Sequence, residues 1–281
     1  MKSIISNVIT RAYRTAIISN EITCVFRTVI ISIISIISIV SIISACSRNN
    51  QTTVILHAGA GLRDAADELI KVFEKENPNI KINANYAGSG RLLGQIITGN
   101  LGGLFMPGDA FYVDQAIKKD VAIKNTKNKV AYFVPVIFTQ KDNPKNIRLL
   151  KDFERKNIRI GLGDERAAAI GKRTLKIFEK NKIPYDKIKK QVMVKTATVN
   201  ELGIAIAAKT VDVVILWDVI ARQFAKSGDI IPIPLSENII SEIPIVLLKS
   251  TADKSAAQKF INFCISEKGK EILKEKGYNV N

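Results

Sequence analysis

The stretch Tyr86-Ala87-Gly88-Ser89-Gly90-Arg91-Leu92-Leu93-Gly94-Gln95-Ile96 joins the end of an apolar strand to the start of an apolar helix stripe. Ile80 to Ala84 alternates before it; Leu92, Leu93, Ile96 and Ile97 recur at helical spacing after it, and Gly99 closes the helix. The glycines resemble those of a nucleotide phosphate loop, but no lysine follows Gly90, which argues against ATP. What remains is a helix amino end with free N–H donors, the positive end of the helix dipole and a Ser89 hydroxyl in the N-cap position. That suits a small oxyanion; the plainer alternative is that Ser89 only caps its helix.

The same turn recurs along the chain. Val54 to Leu56 is a strand, and Ala58-Gly59-Ala60-Gly61-Leu62 opens a helix over Asp64 to Glu76 that Asn77-Pro78 stops. Ile158 to Gly161 is a short strand whose turn, Gly163-Asp164-Glu165-Arg166, leads to a helix from about Ile170 to Lys180. Val192 to Lys195 precedes Thr198-Val199-Asn200 and a helix to Ala208, with Thr198 or Asn200 as its cap. Val130 to Thr139 reads as one long apolar strand, and Val211 to Leu216 and Ile243 to Leu248 as two more; helices over Ala252 to Ile265 and on to Lys276 end the chain. Repeated strand–helix alternation predicts an α/β protein with mostly parallel sheets. Four such turns, at the carboxyl ends of strands in two halves of the chain, are placed to converge on one cleft.

The first 45 residues belong to export. Lys2, Arg11, Arg14 and Arg27 precede an Ile/Ser/Val run from Val29 to Ala45, followed by Cys46. This reads as a lipoprotein signal peptide whose cleavage leaves Cys46 to receive lipid; the alternative is a signal anchor left uncut. Either way the chain works outside the cytoplasmic membrane, tethered to it. Cys264 is then left alone on an apolar stretch, where it behaves as a small hydrophobe, and no disulfide framework or Cys/His metal spacing appears.

The whole chain carries 42 basic and 26 acidic residues; without the leader 38 and 25 remain. An exported protein this basic meets anions. Its lysines are spread over helix faces and are not interleaved with aromatics on a stripe, so no nucleic-acid surface is expected. No nucleophile elbow or paired-carboxylate motif occurs. His57, the only histidine, reads as a satisfied strand-end residue beside the first turn. Arg63, Arg91 and Arg166 lie beside the turns and are read as facing solvent.

In order, HAGAGLRDA, NYAGSGRLLGQI, GLFMPGDAFYVDQA, GLGDERAAAIGKRTL and TVNELGIAIAAKTVDVVILW resemble the molybdate-binding protein of ABC transporters over nearly all of the mature chain. That family is similar in turn to the type II periplasmic binding proteins, two α/β lobes that close on an oxyanion. The resemblance implies one lobe over 52–133 plus 244–281 and another over 134–243, hinged by strands near Val134 to Phe138 and Glu242 to Val246. It implies a binding protein and not an enzyme, likewise a monomer without cofactor, holding molybdate or tungstate for ABC permease subunits in the membrane. Carried over position by position, its ligand residues fall on Gly61, Ser89, Ile170, Val199 and Trp217. Gly61 replaces a serine and Trp217 a tyrosine; the prolines usual in the GD loop and the aspartate usual before Leu104-Phe105 are absent. The alternatives are a receptor for another oxyanion such as sulfate or phosphate, and a hydrolase or transferase using the cleft. Molybdate and tungstate carry no proton near neutrality, so neutral donors suffice, whereas hydrogenphosphate also needs an acceptor, for which Asp164 and Glu165 are the candidates.

Overall fold

Two five-stranded sheets share the apolar sequence in a computed structural model that describes residues 51–280; the leader, Cys46 and the choice between lipid and anchor lie outside those residues. The first sheet has the order β2-β1-β3-β10-β4, and the second β7-β6-β8-β5-β9. β1 (Thr52–Gly59) runs parallel to β2 (Ile80–Ala87) and β3 (Leu104–Met106). In the second sheet β6 (Ile160–Gly163) runs parallel to β7 (Val192–Thr196) and β8 (Val213–Trp217).

The sheets are mixed, not mostly parallel, and the antiparallel pairings have one origin. β5 (Pro135–Gln140) lies against β8 and β9 (Gly228–Pro232), and β10 (Ser241–Leu247) against β3 and β4 (Asn128–Phe133); all four contacts are antiparallel. β5 and β10 are the strands through which the chain enters each sheet from the other. The apolar run from Val130 to Thr139, which reads as one strand, is therefore two, β4 and β5, in different sheets with Val134 between them. Pro135 stands at this crossing, where proline is tolerated because it opens a strand. The return crossing is the segment 233–240, which carries no strand, and its Asn238 donates to Pro135 O at 2.9 Å.

Helices cover the sheets because their apolar residues recur every three or four positions. In α1 (Arg63–Glu76), Ala65, Ala66, Leu69, Ile70 and Phe73 are buried, and Phe73 meets Phe260 of α8 (Lys254–Ile265) edge-on at 5.1 Å. Burying side chains of this size stabilises by roughly 1.5–3 kcal/mol each. The remaining helices are α2 (Ser89–Gly99), α3 (Ala110–Lys118), α4 (Ala169–Lys180), α5 (Tyr185–Ile188), α6 (Val199–Ala207), α7 (Asp218–Gln223) and α9 (Glu267–Glu275). Phe178 of α4 packs on Phe153 at 5.2 Å in the second core. Cys264 is buried and free, and burial pushes its thiol pKa well up, so it acts as core. Among the described residues no helix is long and apolar enough to cross a membrane.

Candidate functional site

The strand-to-helix turns of both sheets meet at one cavity of about 280 Å3, mouth included. Gly61, Ser89, Ile170, Val199 and Trp217, distant in sequence, all line it. Gly108, Phe133, Ala169 and Thr198 line it as well. No lining side chain carries a charge.

The donors come from the backbone. Gly59, Gly88, Ala168 and Thr198 stand at the N-caps of the helical segments that open on the cavity, and none is capped by a side chain. The helices after Asp109, Asp253 and Ser266 are each capped by a side-chain oxygen. A helix leaves its first N–H groups without intrahelical acceptors. Three helices of nine residues or more, α2, α4 and α6, therefore aim free donors and the positive ends of their dipoles at one small space.

Ser89 is not the N-cap expected from the sequence. It is the first helical residue, Gly88 holds the cap position, and Ser89 Oγ accepts the Gly108 N–H at 3.0 Å. A hydroxyl oxygen fixed in this way keeps its own proton for another acceptor. Thr198 does hold the cap position of α6, but its hydroxyl donates to Glu201 Oε1 at 2.9 Å, so that proton is spent. Gly99 is the last helical residue of α2, and the left-handed closing residue is Asn100, with φ 45°.

Gly61 and Trp217 stand together in the cavity wall, and at Gly61 it is chiefly Val199 that leaves little room for a side chain. A Cβ on Gly61 would stand 2.9 Å from Val199 Cγ1 and 3.5 Å from both Trp217 Cδ1 and Phe133 Cζ. The space a serine side chain would need is already taken. Trp217, 2% exposed, ends β8 and stacks on Phe133, which ends β4, with centroids 4.8 Å apart and planes 7° from parallel. The stack thus joins the two sheets at the floor of the cavity. Tyr278 OH donates to Gly61 O at 2.7 Å, which keeps that carbonyl occupied.

The seam between the lobes is tight. Gly90 N donates to Ala167 O at 2.8 Å across it. A Cβ on Gly88 would fall 2.2 Å from Ala197 O, and one on Gly90 1.7 Å from Arg166 O. These two positions must be glycine because backbone from the other lobe lies where a side chain would start.

The charged neighbours are turned elsewhere. Arg63, Arg91 and Arg166 are exposed, and Arg63 lies over the Tyr86 ring at 4.2 Å. Asp164 accepts from Arg166 N and Ala167 N, and these bonds hold its carboxyl below the usual range. Glu165, held low by a backbone bond and by its 2.9 Å pair with Lys195, is likewise committed. Neither carboxylate lines the cavity. His57 is 2% exposed, with Nε2 3.2 Å from Gly102 O and Nδ1 3.4 Å from Asn85 Nδ2; burial lowers its pKa. It is a satisfied strand residue outside the cavity. Among the described residues no cluster of His, Cys, Asp and Glu is suited to a metal ion.

Two α/β lobes meeting over a small, uncharged pocket of convergent N–H donors are the architecture of the type II periplasmic fold. The family of bacterial extracellular solute-binding proteins matches residues 54–279, and the chain belongs to it. A putative binding protein of Haemophilus influenzae is 30% identical over 79% of this chain and 89% of its own. Among solved structures, the periplasmic molybdate-binding protein of Azotobacter vinelandii shares the fold with TM-score 0.70 and 16% identity, covering 81% of this chain and 99% of its own. The sulfate-binding protein SubI of Mycobacterium tuberculosis does so with TM-score 0.72 and 18% identity over 81% and 86%.

Proposed function

We propose that this protein is the extracytoplasmic receptor of an ABC importer and captures molybdate or tungstate between its lobes. The observation that carries the reading is the cavity lined by helix N-termini without a side-chain cap or an ionisable group. A tetrahedral dianion without protons asks only for donors, and these walls supply them: Ser89 Oγ–H, the N–H groups at Ala169, Ile170, Val199 and Gly61, and the Trp217 indole N–H. Hydrogenphosphate would bring a proton for which no free carboxylate stands ready, since Asp164 and Glu165 are committed to Arg166 and Lys195. Sulfate is the second reading: it too is an unprotonated tetrahedral dianion, and a sulfate-binding protein shares the fold. The two readings differ in anion size, so competition decides between them.

The lobes, one on each sheet with β10 from Ser241 onward in the first, close about Val134 and the return crossing, and the permease subunits recognise the closed form because ligand stabilises it differentially. Cys46 carries the lipid that tethers a monomer to the membrane. The reading is of a binder and not a hydrolase or transferase: Ser89 Oγ is held by the Gly108 N–H, and no histidine or carboxylate lines the cavity to activate it. Isothermal titration with molybdate, tungstate, sulfate and phosphate tests this. Tight binding of the first two, displaced poorly by sulfate, supports it; preference for sulfate moves the assignment, and ester turnover lost in Ser89→Ala overturns it.

A further inference from the structure

We infer that Arg173, which does not line the cavity, is the latch of the closed form; its link to the ligand rests on the oxyanion-receptor reading, while its mechanics rest on geometry alone. Arg173 lies on α4, one turn beyond the helix start that opens on the cavity, and belongs to the second lobe. Its Nη2 forms an ion pair with Asp109 Oδ2, and the two side chains are only 11% and 7% exposed. Asp109 belongs to the first lobe, where it caps α3 by accepting from Phe111 N at 2.9 Å.

Ser241 ties this pair to the crossing strand. It is the first residue of β10 and fully buried, with Oγ 2.8 Å from Asp109 Oδ2, 2.9 Å from Gly108 O and 3.3 Å from Arg173 Nη2. Gly108 completes the path, because its N–H donates to Ser89 Oγ at the cavity wall. One residue, Gly108, and one hydroxyl therefore separate the pocket from the ion pair. Beside it, Lys172 of α4 sits over the Phe111 ring at 4.1 Å, across the same seam.

Such a pair acts only when both partners are in place. Opening the lobes takes Arg173 away from Asp109 and Ser241 together, and hydrates each; closing them restores a buried pair whose loss of either partner is costly. Arg173 Nε is buried without an acceptor, so the guanidinium is held chiefly through Nη2 and is not locked by a full set of partners. An anion that fixes Ser89 and Gly108 orders the Asp109 turn, and the latch in return holds the start of α4 over the anion. Arg173 is thus a positioning residue for binding, acting through Asp109 and Gly108.

The test follows the Gly90 amide, which donates across the seam to Ala167 O. Hydrogen exchange is measured by NMR on the full-length chain, on Arg173→Met and on Arg173→Lys, ligand-free and with saturating molybdate. In whichever state the parent chain protects Gly90, Arg173→Met is expected to lose at least about tenfold of that protection. Arg173→Lys is expected to regain part of it. Equal protection at Gly90 in parent and Arg173→Met overturns the latch, as does no Gly90 protection in the parent in either state. An equal loss at the strand amides of Leu56 and Ile215 also overturns it, by making Arg173 a support of the whole fold. Molybdate that leaves the parent's Gly90 unchanged counts against the receptor reading, while the ligand-free comparison still decides the latch.

Discussion

Gly90→Ala separates closure from folding in one methyl group. A Cβ there falls 1.7 Å from Arg166 O, and since real Cβ contacts essentially never lie below 3.0 Å, that carbonyl must retreat by about 1.3 Å. Arg166 and Ala167 belong to the other lobe, so the cost falls on the closed form. Overpacking of this kind costs about 1–3 kcal/mol, and weakening the Gly90 N–H bond to Ala167 O costs a further ~0.5–1.5 kcal/mol. Together these amount to about 1.5–4.5 kcal/mol, so affinity for the anion should fall roughly 10- to 1,600-fold at about 1.4 kcal/mol per decade. Within the first lobe the same change removes a helical glycine, which by itself stabilises by about 0.5–1 kcal/mol. The expected result is weaker binding of molybdate by titration calorimetry with an unchanged or higher ligand-free melting temperature. Gly94→Ala is the control: it lies on the same helix with nothing within 4 Å of its Cβ, and should raise stability without altering affinity. Gly90→Ala binding as tightly as the parent would refute the closed seam.

Ser89→Ala removes one donor to a charged ligand and strands the Gly108 N–H, which should weaken binding by about 1.5–3 kcal/mol, read as Kd by calorimetry. Trp217→Phe keeps a ring stacked on Phe133 but no N–H, so a loss near tenfold in affinity with little change in urea midpoint is expected; a collapsed midpoint would assign Trp217 to packing alone. His57 supplies the pH dependence. Its pKa is lowered in the fold by burial, so the unfolded chain takes up the proton first, and stability drops as pH falls through the unfolded value of about 6.5. Urea unfolding of His57→Gln should show a flatter loss than the parent between about pH 7 and 5; identical slopes would mean that His57 is hydrated.

The turns were readable in the sequence because their information is local. A glycine or small cap between an apolar alternation and a helical stripe marks a helix start, and Gly61, Ser89, Ile170 and Val199 all sit at or next to such starts. What joins them is not local. Val130 to Thr139 is uniformly apolar because β4 and β5 are buried in two different cores, and nothing in hydropathy marks the change of sheet at Val134 except the proline after it. The short strand Leu104 to Met106 and the helix behind it lack a long period, and so escaped the pattern. Ser89 lies one position inside the helix and Gly88 at the cap, a difference of backbone angles alone that the residue types do not encode. The Arg173–Asp109 pair was invisible, since two charged residues 64 apart carry no shared pattern.

The most direct test of the oxyanion receptor uses the only tryptophan, Trp217, whose ring borders the cavity. The chain without its first 46 residues is titrated with molybdate, tungstate, sulfate and phosphate, following tryptophan fluorescence and melting temperature together. Saturable changes in both with molybdate and tungstate, and none with phosphate, are predicted. Silence with all four anions, or phosphate binding as tightly as molybdate, would contradict a pocket built from neutral donors for an unprotonated dianion.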